Sequence, residues 1–420
     1  MKVATRTESL VGELDAVLAA RLVHCLYQPV VDLESGEVVA FEALARGPHG
    51  SPLGSPANLF EAARRAGRVA ELDWLCRTAA AEGALEGGLR TPSVLLVNVE
   101  PQVLHKPEPP RLKQSWRRAG ERFRMVLEVK ERALTDDPAQ LLWSIGWARD
   151  LGVEVALDAV GGDLRSPSLL ELLRPEVVKI DLRLVRARPS RDRAAAVHAV
   201  SAHAERTGAA VVAQCIETDA DLDLARAIGA TRGQGWRFGR PRPLPEGLPQ
   251  RGPVLHEARP PRSVPGGLTP FDLLRDRKPV KSASEAVLRS ISSHLEHDAL
   301  TLREPPVVIA ALQDERFLSG ATRDLFRELG RRGALVAALG RGMSPVPAPG
   351  VRGVSLGSRD PLATQWVVVV LAPHFGAALA AVDVGDRAGD PGRRFDYVVT
   401  YDRDLVAEVS WSLLPRVLAA

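Results

Sequence analysis

The sequence is poor in the residues that mark several classes of protein. Of its 420 residues, only 3 are cysteine, 3 are methionine and 3 are tyrosine. Cys25, Cys76 and Cys215 lie too far apart in the chain for a disulfide framework or a four-ligand zinc site. This cysteine usage fits a reducing compartment, and we expect a cytoplasmic protein.

Long apolar runs and an excess of one charge are also missing. No segment approaches the roughly 20 apolar residues that cross a bilayer, and charges interrupt residues 1–20, so we expect neither membrane insertion nor a signal peptide. The 55 basic and 52 acidic side chains give a net charge of +3 without long runs of one sign. A nucleic-acid polymer is therefore not an expected partner.

The length and composition of the chain are sufficient for two globular domains. The chain is longer than one usual domain, and 45% hydrophobic with 25% charged residues is an ordinary globular composition. Proline and glycine crowd together at 251–270, where helical and strand periodicity disappear. We predict a first domain at 1–250, a linker at 251–270 and a second domain at 271–420.

Short apolar runs alternate with helical segments before the linker. The runs are HCLYQPVV, VVAFEALA, SVLLVNV, MVLEV, VEVALDA, VVKIDL, AAVVAQCI and GWRFG. This alternation predicts parallel strands covered by helices, and about eight such units fit a TIM-like (β/α)8 barrel. A doubly wound open sheet would produce a similar pattern, so periodicity alone leaves both folds open.

Polar side chains recur where the predicted strands end. They are Glu42, Asn98, Glu128, Asp158, Lys179, Gln214 and Gln234. In a βα barrel the carboxyl ends of the strands converge, so these side chains are predicted to meet at one mouth. Carboxylate and amide oxygens gathered there are the ligands that hard cations prefer.

The order and spacing of these motifs resemble the EAL domain family. The matching segments, within roughly residues 11–245, are YQPVVDLESGEVVAFEALAR, LLVNVEP, LEVKE, ALDAVGG, VVKID, AQCIET and GQGWRFGRP. The resemblance implies an EAL-type (β/α)8 barrel from a bacterial signalling protein. It also implies the activity of that family, the Mg²⁺- or Mn²⁺-dependent hydrolysis of cyclic di-GMP to linear pGpG.

The resemblance assigns roles to individual residues. It implies metal ligation by Glu42, Asn98, Glu128 and Asp158, catalytic positions at Lys179 and Glu217, and substrate binding by Arg46 and Gln234. Two departures affect the catalytic set. Ala159 stands where the family motif Asp-Asp-Phe-Gly has its second aspartate, and Gln214 replaces the first glutamate of Glu-Gly-Val-Glu.

These departures are expected to reduce the hydrolysis of cyclic di-GMP more than its binding. An amide at Gln214 cannot accept a proton as a carboxylate does, and the methyl of Ala159 cannot ligate a cation. We therefore expect at most one intact metal site. The sequence of the loop after Asp158 also differs from that of the family. In the family this loop contributes to dimer contacts, so the difference affects the expectation of a homodimer formed through the barrel.

Three functions remain open at this point. The first is a degenerate EAL domain that binds cyclic di-GMP or an unidentified signalling protein partner with little or no hydrolysis. The second is an active or slow phosphodiesterase that produces pGpG. The third is a structural scaffold for protein interaction.

The second domain resembles the DICT sensory domain. The cues are SEAVLRSIS, the apolar strand before ERF, and FDYVVTYDRDLV before a terminal helix. The pattern predicts a smaller α/β domain. Trp366 lies beside a run of valines and is interpreted as a core residue, and no site is assigned to Trp366, His374 or Asp402.

Overall fold

The computed structural model describes residues 12–150, 152–187, 190–248, 252–257, 267–318, 320–385 and 392–419. Two compact units are present: Met1–Ala133 with Ser144–Gly162 and Pro175–Arg259, and Leu134–Trp143 with Asp163–Arg174 and Pro260–Ala420. Half of the predicted linker at 251–270, residues 251 and 258–266, lies outside the described residues. The domain boundary placed there stays a prediction.

The first unit contains a closed barrel of eight strands that follow one another in sequence order. The strands are β1 His24–Asp32, β2 Val38–Arg46, β3 Val94–Asn98, β4 Arg124–Lys130, β5 Glu154–Val160, β6 Val177–Asp181, β7 Ala210–Gln214 and β8 Arg232–Gln234. Strands β2 to β8 run parallel to one another. The predicted barrel is therefore confirmed, and the open doubly wound sheet is excluded.

The first strand departs from the expected parallel arrangement. β1 pairs in the antiparallel sense with both β2 and β8. Only residues 33–37 join β1 to β2, whereas a parallel crossover needs about a dozen residues or more. The turn is held by the carboxylate of Asp32, which accepts hydrogen bonds from the backbone N–H groups of Glu34 at 3.0 Å and Ser35 at 2.8 Å.

The last strand lies earlier in the chain than predicted. The run GWRFG at 235–239 is a turn, and β8 ends at Gln234. The chain after β8 passes against the chain after β7, where the N–H of Ile216 donates to the Gln234 carbonyl at 3.1 Å. A Cβ on Gly235 would come within 2.0 Å of the Ile216 carbonyl oxygen, so only glycine fits there.

One helix precedes β1, and the others within the first 230 residues connect the parallel strands. They are α1 at 12–20, α2 Pro56–Arg65, α3 Val69–Glu86, α4 Pro110–Gly120, α5 Glu131–Asp136, α6 Pro138–Asp150, α7 Ser166–Leu173, α8 Leu182–Ala187, α9 Arg191–Thr207 and α10 Asp219–Ala227. Within the described part of the chain, no helix is both long and apolar enough to span a membrane.

The second unit contains a seven-stranded mixed sheet. Its strands are β9 Lys281–Ser284, β10 Val307–Asp314, β11 Leu335–Arg341, β12 Arg352–Ser355, β13 Gln365–Ala372, β14 Phe375–Asp383 and β15 Arg394–Thr400, in the spatial order β12-β11-β10-β13-β14-β15-β9. The three strands at the β12 end are parallel and the remaining pairs antiparallel. The predicted α/β architecture is confirmed.

The α-helices of the described part of the chain after residue 267 are α11 Pro270–Arg275, α12 Glu285–Thr301, α13 Gly320–Arg332 and α14 Arg403–Leu418. Leu295 of α12 and Phe326 of α13 are fully buried in the same apolar cluster as Val368 and Val370 of β13. The second unit thus has its own hydrophobic core.

Candidate active site

The carboxyl ends of the barrel strands bring the predicted polar residues into one layer. Register pairs Gln28 of β1 with Glu42 of β2, and Asn98 of β3 with Glu128 of β4. Because neighbours in register point to the same face of a sheet, these side chains enter the barrel side by side. Gln28 lies within the segment YQPVVDLESGEVVAFEALAR, but the sequence pattern predicted no role for it in the site.

Lys179 lies at the centre of this layer. Its Nζ donates to Glu42 Oε2 at 2.8 Å and to Glu128 Oε1 at 2.5 Å, and it lies 3.8 Å from Asp158 Oδ1. The side chain is 0% exposed. A fully buried ammonium requires compensating charge, and three carboxylates from three strands supply it.

Two side-chain amides complete the contacts of Glu42. Asn98 Nδ2 donates to Glu42 Oε1 at 2.9 Å and to Glu128 Oε2 at 3.3 Å. Gln234 Nε2 donates to Glu42 Oε2 at 2.7 Å. The Oε1 atom of Gln234 is buried and accepts no hydrogen bond among the described residues, so one oxygen of this layer still has an unused lone pair.

Gln214 contacts the fourth predicted metal ligand directly. Its Nε2 donates to Asp158 Oδ1 across 2.8 Å. At position 214 the family resemblance places a carboxylate, whereas this chain has an amide N–H group that faces the Asp158 carboxylate. A glutamate at this position would instead bring two like charges together.

The charges of the layer depend on one another. Burial opposes ionisation of Glu42, but the Lys179 ammonium and hydrogen bonds from Lys179, Gln234 and Asn98 outweigh it and hold its pKa at about 2. Burial and the neighbouring Glu42 charge raise the pKa of Glu128. Burial also opposes the charge of Lys179, yet the three carboxylates raise its pKa above the usual value. One ammonium therefore faces more than one equivalent of negative charge when the carboxyl groups are ionised.

Two of the predicted site residues lie outside this hydrogen-bonded layer. The guanidinium of Arg46 donates to the adjacent Ala45 carbonyl at 2.8 Å, and Glu217 is exposed. Neither side chain hydrogen-bonds to the layer among the described residues. Arg46 remains at the end of β2, the strand that carries Glu42.

The two altered motifs both contain a residue with left-handed backbone. Ala159 has φ of 58° and Cys215 has φ of 63°. Residues with a Cβ adopt this region at a cost, which aspartate tolerates better than alanine and which glycine avoids. The family residues at these positions, Asp and Gly, are those that this backbone suits.

Glu131, the last residue of the LEVKE segment, positions the loop after β5, although no role was predicted for it from the sequence. It begins α5, and its carboxylate accepts hydrogen bonds from the backbone N–H groups of Gly161 at 3.1 Å and Gly162 at 2.9 Å. These glycines follow Asp158 and Ala159 by two to four residues, so Glu131 fixes the loop that leaves the site. Its position directly after the β4 motif is the signal that could have identified it.

The donor set fits one hard cation. Glu42, Asn98, Glu128 and Asp158 offer only oxygen and amide groups, the layer has excess negative charge, and Gln234 Oε1 has a free lone pair. Among the described residues, no three His, Cys, Asp and Glu side chains are arranged to hold a metal ion by themselves. An amide oxygen would therefore have to join the carboxylates, and the Asn98 amide would turn its oxygen toward the ion.

Comparison with family models decides the classification. Residues 12–241, more than half of the chain, match the model of the EAL domain. This chain belongs to the EAL domain family. Residues 273–383 match the model described as the sensory domain in diguanylate cyclases and two-component systems, the DICT domain.

Curated relatives of this EAL protein match it over the first half of the chain. A cyclic di-GMP phosphodiesterase of Pseudomonas aeruginosa is 31% identical over 233 residues, 54% of this chain and 39% of the relative. An uncharacterised signalling protein of Caulobacter vibrioides is 32% identical over 228 residues, 53% of this chain and 28% of the relative. The alignments thus span roughly a third of the length of these relatives.

Solved structures of EAL domains resemble the same part of this EAL protein. The EAL domain of Xanthomonas citri FimX, in complex with cyclic di-GMP, aligns over 58% of this chain and 97% of that chain, with 20% identity and a TM-score of 0.49.

Proposed function

We propose that this protein takes part in cyclic di-GMP signalling, and that its barrel binds the dinucleotide with the help of one Mg²⁺ or Mn²⁺ ion while hydrolysing it slowly or not at all. Membership of the EAL family and the 31% identity to a cyclic di-GMP phosphodiesterase support the ligand class. The contact between Gln214 and Asp158 supports the loss of turnover.

Binding rests on groups that this chain retains. A divalent cation held by Glu42, Asn98, Glu128 and Asp158 would offset the negative charge of a substrate phosphate. Among the residues that the structure describes, the guanidinium of Arg46 at the end of β2 hydrogen-bonds only to the adjacent Ala45 carbonyl, which leaves it able to turn toward a phosphate oxygen. Lys179 holds Glu42 and Glu128 in position from inside the barrel.

Turnover needs a group that takes a proton from the attacking water. A carboxylate at position 214 would supply it, whereas the Gln214 amide donates to Asp158 and has no basic site at neutral pH. Losing a general base costs about 10²–10⁴-fold in rate. The missing carboxylate at Ala159 removes charge that a second cation would need, which reduces turnover further.

The deciding experiment is a time course of the purified protein with cyclic di-GMP and Mn²⁺, in which linear pGpG is followed by chromatography. We expect binding by calorimetry, lost in Arg46→Ala, and product at or near the background of Glu42→Ala. The double change Ala159→Asp with Gln214→Glu is expected to raise product formation. Fast hydrolysis by the unaltered protein would overturn the proposal, and an absence of nucleotide binding would favour a protein-interaction scaffold instead.

A further inference from the structure

The second unit contains a cavity of about 380 Å³ that none of the barrel chemistry uses. It is lined by one face of α12, by α13 and by side chains from the sheet, and this volume is within the range of small-molecule pockets. Trp366, interpreted from the sequence as a core residue, is only partly buried and lines this cavity.

The Trp366 ring is held in a fixed orientation. Its edge packs against Phe395 with the ring centroids 5.9 Å apart at 82°. Its Nε1 donates to Ser292 Oγ at 3.2 Å, and Ser292 Oγ in turn donates to Glu296 Oε1 at 3.2 Å. The hydroxyl group of Ser292 thus connects the Trp366 ring, which forms part of the cavity wall, to the buried carboxyl group of Glu296.

Glu296 contributes to this cavity a buried carboxyl group that has no ion-pair partner among the described residues. The residue is 4% exposed, and Ser292 is its only hydrogen-bond partner among the described residues, with no cation within ion-pair distance. The other carboxylate of the wall, Glu285, is paired with Arg289 at 2.5 Å. Burying a carboxyl with a single neutral partner is costly, which is typical of a site that receives its partner from outside.

The two arginine side chains of the wall are already engaged. Arg289 pairs with Glu285, and its guanidinium lies 5.9 Å from the centre of the Trp366 ring. Arg393 donates to Asp383 at 2.7 Å and to Gln313 at 3.0 Å. An acidic ligand would have to displace one of these carboxylates, whereas a cationic ligand finds Glu296 available.

We propose that this cavity binds a small aromatic compound with a protonated nitrogen, an arylalkylamine or arylamidine, with the ring against Trp366 and the nitrogen at Glu296. A charge-assisted hydrogen bond to a desolvated carboxylate favours the cation, and Trp is the aromatic side chain best suited to both ring contact and cation–π attraction. This site is independent of the barrel and of the function proposed for it.

The test compares two probes of similar size in calorimetry with the full chain at pH 8: tryptamine, which carries an ammonium, and indole-3-propionate, which carries a carboxylate. We expect tryptamine to bind at least about ten-fold more tightly, the value of one charge-assisted hydrogen bond. Equal affinities, tighter binding of the acid, or no binding of millimolar tryptamine would each overturn the proposal.

Variants locate the binding in the cavity. Glu296→Gln keeps the shape of the side chain and is expected to reduce tryptamine affinity about ten-fold and to abolish the preference over the acid. Trp366→Phe is expected to weaken both probes. Glu328→Gln, on α13 and paired with Arg331 at 3.3 Å, is the matched control and should change neither. Unchanged tryptamine affinity in a folded Glu296→Gln protein would contradict the assignment.

Discussion

The side-chain amide of Gln214 donates a hydrogen bond to the carboxylate of Asp158 across 2.8 Å. This contact stabilises the layer without a metal ion, because an N–H group offsets part of the Asp158 charge. It also places a non-basic group beside the carboxylate where the family resemblance places an acid. The same contact thus gives Asp158 a neutral hydrogen-bond donor at a position where a carboxylate would repel it.

Gln214→Glu should make the stability of the barrel depend on a divalent cation. Two carboxylates at hydrogen-bond distance repel, and we expect a loss of about 1–3 kcal/mol in the free energy of unfolding when EDTA is present. Added Mn²⁺ should restore much of this loss, as measured by chemical denaturation with and without the ion. Gln114→Glu, an exposed change of the same type on α4, is the control and should show no such response. Equal stability of Gln214→Glu in EDTA and Mn²⁺ would contradict this account.

Lys179→Met should destabilise the barrel strongly. The change removes the cation between Glu42 and Glu128 and leaves two buried carboxyl groups without their partner, which typically costs about 3–5 kcal/mol. The loss should be smaller at low pH, where protonation removes the uncompensated charge. Urea denaturation at pH 5.5 and pH 8 measures both effects. Lys130→Met, an exposed lysine at the end of β4, should cost little.

Apolar runs alternating with helical segments could predict parallel strands covered by helices, and the polar motifs at the strand ends, through their resemblance to the EAL family, favoured the barrel over an open sheet. They could also predict which residues meet, since parallel strands place their carboxyl ends at one mouth. They could not predict that β1 reverses, because an apolar run does not show its direction. Here the short connection between Asp32 and Val38 decided it.

Other features depend on side-chain geometry that the pattern does not contain. Arg46 and Glu217 belong to the right motifs, yet neither joins the hydrogen-bonded layer of described residues. The role of Glu131 depends on where the loop after β5 passes. Trp366 lies beside four valines and still borders a cavity, since successive residues of a strand face opposite sides of the sheet.

Ala159→Gly should stabilise the protein or leave its stability unchanged, unlike most glycine substitutions in a strand. Ala159 has φ of 58°, where alanine is strained, and relief of that strain should gain up to about 1 kcal/mol against the higher entropy of the unfolded chain. Thermal unfolding of the variant measures it. The control Ala156→Gly, on the same strand and fully buried, should be destabilising. If both variants lose equal stability, backbone strain does not distinguish position 159.

The pH dependence of stability should reveal the buried carboxyl of the second unit. Burial raises the pKa of Glu296 to about 7, against the opposing effects of the Ser292 hydroxyl and His297. The folded state therefore holds this proton more tightly than the unfolded chain, so its contribution to stability is complete below the ordinary glutamate pKa and is lost as the pH rises toward 7. Over that range, the loss attributable to Glu296 is about 3 kcal/mol.

Glu296→Gln removes this dependence while it keeps the shape of the side chain. We expect the difference in unfolding free energy between the variant and the unaltered protein to shift in favour of the variant as the pH rises from 4.5 to 8, in urea denaturation. The ionisable neighbours in the cavity wall, Glu285, Arg289, His297 and Arg393, are present in both proteins, so their titration contributes to both curves. A difference that stays constant with pH would mean that folding does not shift the pKa of Glu296. The cavity would then lack the desolvated carboxyl group on which the proposed cationic ligand depends.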